Sequence, residues 1–408
     1  MTTNTTTPQA IPSHVPEHLV FDGDPWEVLA QTGKRAHERV AAFHREFPRV
    51  FWAARLSYLG GCWVPQSAED LRRILQDPET FSNEGLTGFS ALLGETWPLL
   101  PLEVDPPRHM QYRALLNPLF TPKKVNALEA DIRAMAQSLV DDVAPQGHCD
   151  FNAAFAEQFP ILIFLKLMGW PLDEAPRFVS WTQTLVKGDD IAKTAGAAME
   201  IATYLRARLA GARENPGDDF CSYVVNAKVE GRSLTEEEAL GMCFLVFIAG
   251  LDTVTSALGF QLMHLAQHPE QQEFLRANPD RIPDAVEELL RAYSIVTMRR
   301  QVTRDVQIGD VLMKKGDFVM MATPSANLDS EAFSNPETID FDREDKRHMA
   351  FSLGPHRCAG SHLARRELAI AIETWLARVP PFSLKDEDKI IMRAAGVFGL
   401  DGLHLRWK

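Results

Sequence analysis

Apolar residues recur at three- and four-residue spacing from Lys124 to Val143, Ala197 to Arg213, Glu236 to His268, Pro283 to Tyr293 and His362 to Arg378, and each run predicts a helix. The third run opens on Thr235-x-x-Glu238, a capping-box pattern. Continued to His268 it would span roughly 50 Å at 1.5 Å per residue, so this helix must cross the core. Its most apolar stretch, Met242 to Leu251, closes on Asp252 and falls short of the roughly 20 residues of a membrane helix. Between Met298 and Met321 the pattern changes to alternation, with Gly309-Asp310 placed for a tight turn, which predicts a small antiparallel sheet. Segments rich in Pro and Gly at Val104 to Pro107, Asn215 to Gly217 and Ser352 to Gly360 predict loops. The expected fold class is mainly α with a small antiparallel β region. No period repeats. The Thr-rich start, residues 1–17, is expected to be a flexible arm and residues 18–408 a single domain.

Composition adds limits. The 408 residues are 45% hydrophobic and 24% charged, ordinary for a packed protein and enough chain to enclose a cofactor. With 42 basic against 55 acidic residues the formal charge is -13, which argues against nucleic acid as a partner. Cys62, Cys149, Cys221, Cys243 and Cys358 show no CxxC spacing, so neither a disulfide framework nor a structural zinc site is expected. The start lacks the basic and apolar segments of a signal peptide, and the expected location is the cytoplasm, with no membrane attachment.

The sharpest chemical signal is Phe351-Ser-Leu-Gly354-Pro-His356-Arg-Cys358-Ala-Gly360, followed by a helix. A cysteine between glycines just before a helix has backbone N–H groups and the positive helix end available to stabilise a thiolate. A lone cysteine is more often a buried structural residue. Here the glycines let backbone pass close to something flat, and His356 with Arg357 supplies donors for carboxylates.

This segment resembles the haem-binding loop of the cytochrome P450 monooxygenases, F-G-x-G-x-H-x-C-x-G, with Ser352 standing where the family has glycine. The resemblance implies haem b, with Cys358 as the thiolate ligand of its iron. Within the long helix, Ala249-Gly250-Leu251-Asp252-Thr253 is similar to the family's oxygen-activation motif. A solvated Asp and a Thr bonding back one turn are the ordinary reading of such residues. The resemblance instead gives Asp252 and Thr253 to proton delivery, with Gly250 clearing the groove. Glu287-Glu288-Leu-Leu-Arg291 matches E-x-x-R, and Phe341-Asp-Arg343 supplies a third partner, so Glu288, Arg291 and Arg343 are expected to be a structural lock. By itself an (i, i+3) Glu and Arg pair is an unremarkable surface feature. His109-x-x-x-Arg113, Arg300 and His356 would surround the haem propionates.

The likeness covers nearly the whole chain and runs nearest to the camphor monooxygenase branch. Trp97 stands at the position of that branch's ketone-binding Tyr, and Met298 replaces an Asp near a propionate. The pocket residues carried over are Phe89, Trp97, Leu245, Ile248, Ala249, Val296 and Val397. These apolar positions fit a small cyclic terpenoid or a norisoprenoid such as ionone better than camphor.

The implied activity is hydroxylation with O2. A haem-thiolate ligand sensor would have no need of Asp252 and Thr253, and peroxide-driven enzymes of this fold usually replace that pair. The implied electron source is a [2Fe-2S] ferredoxin with a separate flavin-dependent ferredoxin reductase, since neither domain fits in this chain. Arg72, Arg73, Arg113, Lys346, Arg357 and Arg365 fall in segments the family places nearest the cysteine, where they would dock an acidic partner. A monomer is expected.

Overall fold

The computed structural model describes residues 11–30, 36–56, 60–187, 190–386, 389–394 and 396–408. The longer helices that frame the site are α1 (Ala68–Gln76), α2 (Arg108–Leu116), α3 (Glu129–Val143), α4 (Phe159–Met168), α5 (Ala175–Lys187), α6 (Ile191–Glu214), α7 (Glu236–Gln267), α8 (Ile282–Ala292) and α9 (Ser361–Arg378). Each of the five periodic runs is helical. The first divides at Leu128 into Pro122–Ala127 and α3. The second begins earlier than its periodicity, because Asp190 caps the N–H groups of Ala192 and Lys193.

The capping box of α7 forms as expected: Thr235 accepts from the Glu238 N–H at 3.1 Å, and Glu238 accepts from the Thr235 N–H at 2.9 Å. By length and apolar composition α7 could cross a membrane. Its surroundings assign it to the core instead, since α4, α6 and α9 pack on it and 67% of its most apolar window is buried.

The sheet beside the helices contains β1 (Val20–Phe21), β2 (Val50–Ala53), β3 (Cys62–Pro65), β4 (Phe81–Ser82), β5 (Thr297–Val302) and β8 (Phe318–Ala322), in the order β1-β2-β3-β8-β5-β4. Between β5 and β8, β6 (Val306–Ile308) and β7 (Val311–Met313) form the hairpin predicted at Gly309-Asp310. The expected antiparallel pairing is present, with Arg300 opposite Val319. Two parallel pairings extend it, β8 with β3 and β1 with β2. They join segments far apart in the chain, which local alternation cannot reveal.

Of the expected arm, residues 1–10 lie outside the described residues. Farther along, His14 Nε2 lies 2.8 Å from the Asp317 carboxylate and Val15 is buried against the sheet, so this end is docked. Among the described residues, three hydrophobic clusters make up the core. Leu240 to Leu251 of α7 belongs to the cluster shared with α4, α5 and α6, and Val254 to Ala266 to the one shared with α3, α8 and α9. The changeover falls at Asp252 and Thr253.

Candidate active site

The Cys358 loop is shaped by its backbone. The Cys358 N–H donates to Phe351 O at 2.9 Å and the Arg357 N–H to Gly354 O at 3.2 Å, folding the segment into a tight pocket wall. Gly354 has φ +70°, and a Cβ there would stand 2.2 Å from Leu75 O of α1, so no side chain fits. Ser352 holds the left-handed conformation, φ 59°, at the position where glycine would be unstrained. The Cys358 side chain borders open space although protein surrounds it. Burial pushes its thiol up, opposed by the Gly360 N–H and by Arg113, Arg357 and Arg365. The arrangement provides one sulfur, backed by cations and by the start of α9, facing an interior space.

A second open surface lies on α7. Phe244, Val246, Phe247, Leu251 and Asp252 are buried, whereas Leu245, Ile248 and Thr253 are partly open and Ala249 is exposed. Positions 245, 248, 249 and 253 share one helix face. A helix enclosed on its other sides therefore has one stripe facing a space within the protein. Thr253 Oγ1 donates to Ala249 O at 3.2 Å, the ordinary back-bond, and remains at the edge of the stripe. Gly250 does not clear this space: a Cβ there would meet the Phe164 ring of α4 at 2.9 Å. Its role is helix packing, and Ala249 is the small residue on the open side. Asp252, 4% exposed, points away from the stripe toward α4 and α5.

The four expected propionate partners come together. His109 and His356 are 4.3 Å apart between ring centroids, and Arg300 and Arg113 act on His356 electrostatically. Burial first, then neighbouring cations, lowers His109 to about 4 and His356 to about 3. Burial alone brings Arg300 to about 10, with Asp105 opposing. Among the described residues both nitrogens of His109 and Nε2 of His356 have no hydrogen-bond partner, while Asp105 acts electrostatically on His109 and Arg300. A cluster of cations and imidazoles in which three ring nitrogens have no partner among the described residues suits a ligand that brings carboxylates. With the open sulfur nearby, these residues fit haem b. Met298, opposite Met321 in the sheet, contributes no charge to this cluster.

Glu288, Arg291 and Arg343 form a lock. Arg291 Nη2 meets Glu288 Oε1 at 2.8 Å with both side chains wholly buried, and Arg343 Nε reaches the same oxygen at 3.0 Å. Spare donors bind main-chain oxygens, Arg291 to Asn327 at 2.8 Å and Arg343 to Ser334 at 2.7 Å. The pair is internal, unlike most helix-surface pairs, and ties α8 to the segment leading into the Cys358 loop.

The pocket residues divide. Val296 and Val397 form an isolated antiparallel bridge, and both are partly open. Phe89 is partly open, with its ring 5.9 Å from Phe244. Trp97 differs from expectation: it is 2% exposed, packs on Phe244 at 5.0 Å, and gives its indole N–H to Glu95, which also binds Arg206 of α6. No donor of Trp97 is left for a ligand. Sequence reading missed Glu95 because the residue that captures it, Arg206, is remote in the chain.

The expected docking cations also divide. Arg72, Arg73 and Arg357 are exposed. Arg365 is bound to Glu287 and stacks over Phe351 at 4.4 Å, and Lys346 pairs with Asp284 at 3.4 Å while donating to Phe341 O. Those two are already engaged in partly exposed ion pairs, and Arg113 donates to Asn117 at 2.6 Å beside the cysteine.

The sequence pattern of the cytochrome P450 family matches residues 190–397. A probable cytochrome P450 127A1 from Sinorhizobium fredii is 41% identical over 97% of each chain. Cytochrome P450 107B1 from Saccharopolyspora erythraea is 32% identical over 96% of this chain and 98% of its own. Among solved structures, cytochrome P450 CYP101C1 superposes with TM-score 0.86 at 32% identity, covering 98% of this chain and all of that one. Together with the fold and the open cysteine loop, this likeness over almost the full length makes the chain a bacterial cytochrome P450, a monooxygenase whose cofactor is haem b.

Proposed function

We propose that the chain hydroxylates a small hydrophobic cyclic substrate, a terpenoid or a norisoprenoid such as ionone, using O2 and electrons from a [2Fe-2S] ferredoxin served by a separate flavin-dependent reductase. The observation that carries the reading is the open stripe of Leu245, Ile248 and Ala249 ending at Thr253, with aromatic Phe89 and Phe244 crowding one end. An apolar wall leading to a single hydroxyl suits a ligand held by shape and reacted at one point. With the Trp97 N–H engaged by Glu95, nothing there favours a ketone such as camphor.

Haem, when bound, supplies the oxygen chemistry. Cys358 would supply the thiolate that holds its iron, and His109, Arg113, Arg300 and His356 would pair with its propionates. Thr253 would hold a proton at its Oγ1 beside the reacting atoms, and Asp252 would resupply it from the side of α5. Apolar residues on the stripe would exclude bulk water. The exposed Arg72, Arg73 and Arg357 would orient an acidic donor protein, and the enzyme would work as a cytoplasmic monomer.

A titration of terpenoids and norisoprenoids, followed by the Soret shift on loss of iron-bound water and by product analysis, tests the substrate class. Tight, productive binding of camphor with weak binding of the whole panel would contradict it. Cys358→His should abolish the red-shifted carbonyl band of the reduced protein. Thr253→Ala should keep binding and NADH consumption while diverting electrons to peroxide. For the donor, Arg72→Glu with Arg73→Glu should raise the apparent KM for ferredoxin and leave substrate affinity alone. Turnover indifferent to salt and to these reversals would place docking elsewhere.

A further inference from the structure

Asp252 faces a crevice between α4, α5 and α7, whose polar lining is Glu157, Thr182, Gln183, Thr255 and Asp252 itself. It is narrow, with room for about one water molecule among several polar partners. Glu157 follows a π turn, Asn152–Ala156, that closes with the Glu157 N–H on Asn152 O at 2.9 Å. Thr255 pins this turn to α7, since its hydroxyl lies 2.9 Å from both Ala156 O and Leu251 O. Glu157, a residue 8% exposed, is thereby held on the same crevice as Asp252. Its other side reaches the surface: Gln183, exposed on α5, donates Nε2 to Glu157 Oε2 at 2.7 Å.

We propose that Glu157 is a positioning acid of the proton route, the group through which Asp252 is resupplied from solvent. The inference rests on the proton-delivery reading of Asp252 given above. Glu157 takes a proton at the α5 surface and passes one to a water in the crevice, and that water passes one to the Asp252 carboxylate. The net change is one proton moved inward with no electron transferred. Gln183 only holds the carboxylate, since an amide that donates here does not carry protons onward. Burial of two carboxylates on one water-sized space, with the turn stapled to the helix, gives the route a fixed geometry.

The test uses the full-length haem-loaded enzyme with Glu157→Gln, Asp252→Asn and Gln183→Met. The Asp252 carboxyl band is first assigned by infrared spectroscopy of the resting, substrate-free protein, from its loss in Asp252→Asn. Glu157→Gln is expected to shift that band and to lower kcat about tenfold with KM unchanged, below the full effect of a positioned general acid. Gln183→Met, a surface change that leaves the core intact, is expected to give a smaller shift and a smaller fall in kcat. An unmoved Asp252 band, or an unchanged kcat, in Glu157→Gln overturns the proposal. If Asp252→Asn itself turns over at the wild-type rate, the proton-delivery reading fails and Glu157 falls with it. Slow Asp252→Asn with normal Glu157→Gln removes Glu157 alone.

Discussion

The imidazole rings of His109, on α2, and His356, in the loop before α9, lie 4.3 Å apart, with three of their four nitrogens lacking a partner among the described residues. Two neutral rings in a buried cluster that also holds Arg300 are an unfinished hydrogen-bond network, and each ring still has one N–H to donate. His109→Leu should therefore weaken the hold on haem by about 1.5–3 kcal/mol, the worth of a hydrogen bond to a charged group. The expected result is haem loss to a scavenging apoprotein about 10- to 100-fold faster, with the Cys358 ligand spectrum retained. An unchanged loss rate would show that His109 does not face the propionates.

Breaking the internal lock should be costly. Glu288→Gln leaves the fully buried Arg291 without its anion, a loss of about 3–5 kcal/mol where pairs of this kind are broken. Thermal denaturation should shift down by several degrees and haem incorporation on expression should fall. Arg291→Lys should also be destabilising, because one compact ammonium cannot span the two Glu288 oxygens and Asn327 O that the guanidinium reaches from three separate nitrogens.

Ser352 carries backbone strain that glycine would relieve. The left-handed conformation costs a residue with a Cβ about 1–2 kcal/mol, of which part is returned by the greater freedom of glycine in the unfolded chain. Ser352→Gly should stabilise the protein by about 0.5–1 kcal/mol, read as a higher midpoint in denaturant with unchanged slope. Destabilisation would show that the Ser352 side chain contributes more than its backbone costs.

The start of α7 should respond to acid. Arg232 above all, then Tyr112 and the Thr235 N–H, hold Glu238 at about 2, below the ordinary 4.5. Its contribution is complete above about pH 4.5 and is lost as pH falls toward 2. Arg232 is half exposed, so solvent screening reduces the value to about 1–2 kcal/mol. Glu238→Gln should be less stable than wild type by that amount at pH 7, and the two denaturation curves should converge toward pH 2. A constant difference across this range would assign the effect to packing.

Much of the fold was legible because its signals are local. The periodic runs, the capping box at Thr235 and Glu238 and the Gly309-Asp310 hairpin depend on neighbours within a few residues, and each is present, with the first run divided at Leu128 and the second begun at Ile191. The motif around Cys358 was legible for a similar reason, since its glycines are required by the backbone path itself, as the contact of Gly354 with Leu75 O shows. The signals that misled were local ones given a tertiary meaning. Gly250 was assigned to the groove but packs on Phe164, and Trp97 was assigned to the substrate pocket but is 2% exposed, with its indole N–H given to Glu95.

What the sequence determined by itself was the helical class, the central helix and the side-chain types at 252, 253 and 358, a carboxylate, a hydroxyl and a thiol. Helix period, turn residues and ligand type are properties of short segments. The tertiary structure decided which side of α7 is open, that Glu95 captures Trp97, that β8 joins β3 in parallel, and that Glu157 shares a crevice with Asp252. Each of these depends on groups brought together from distant parts of the chain. Whether a polar side chain is free to act depends on which remote partner the packing leaves beside it.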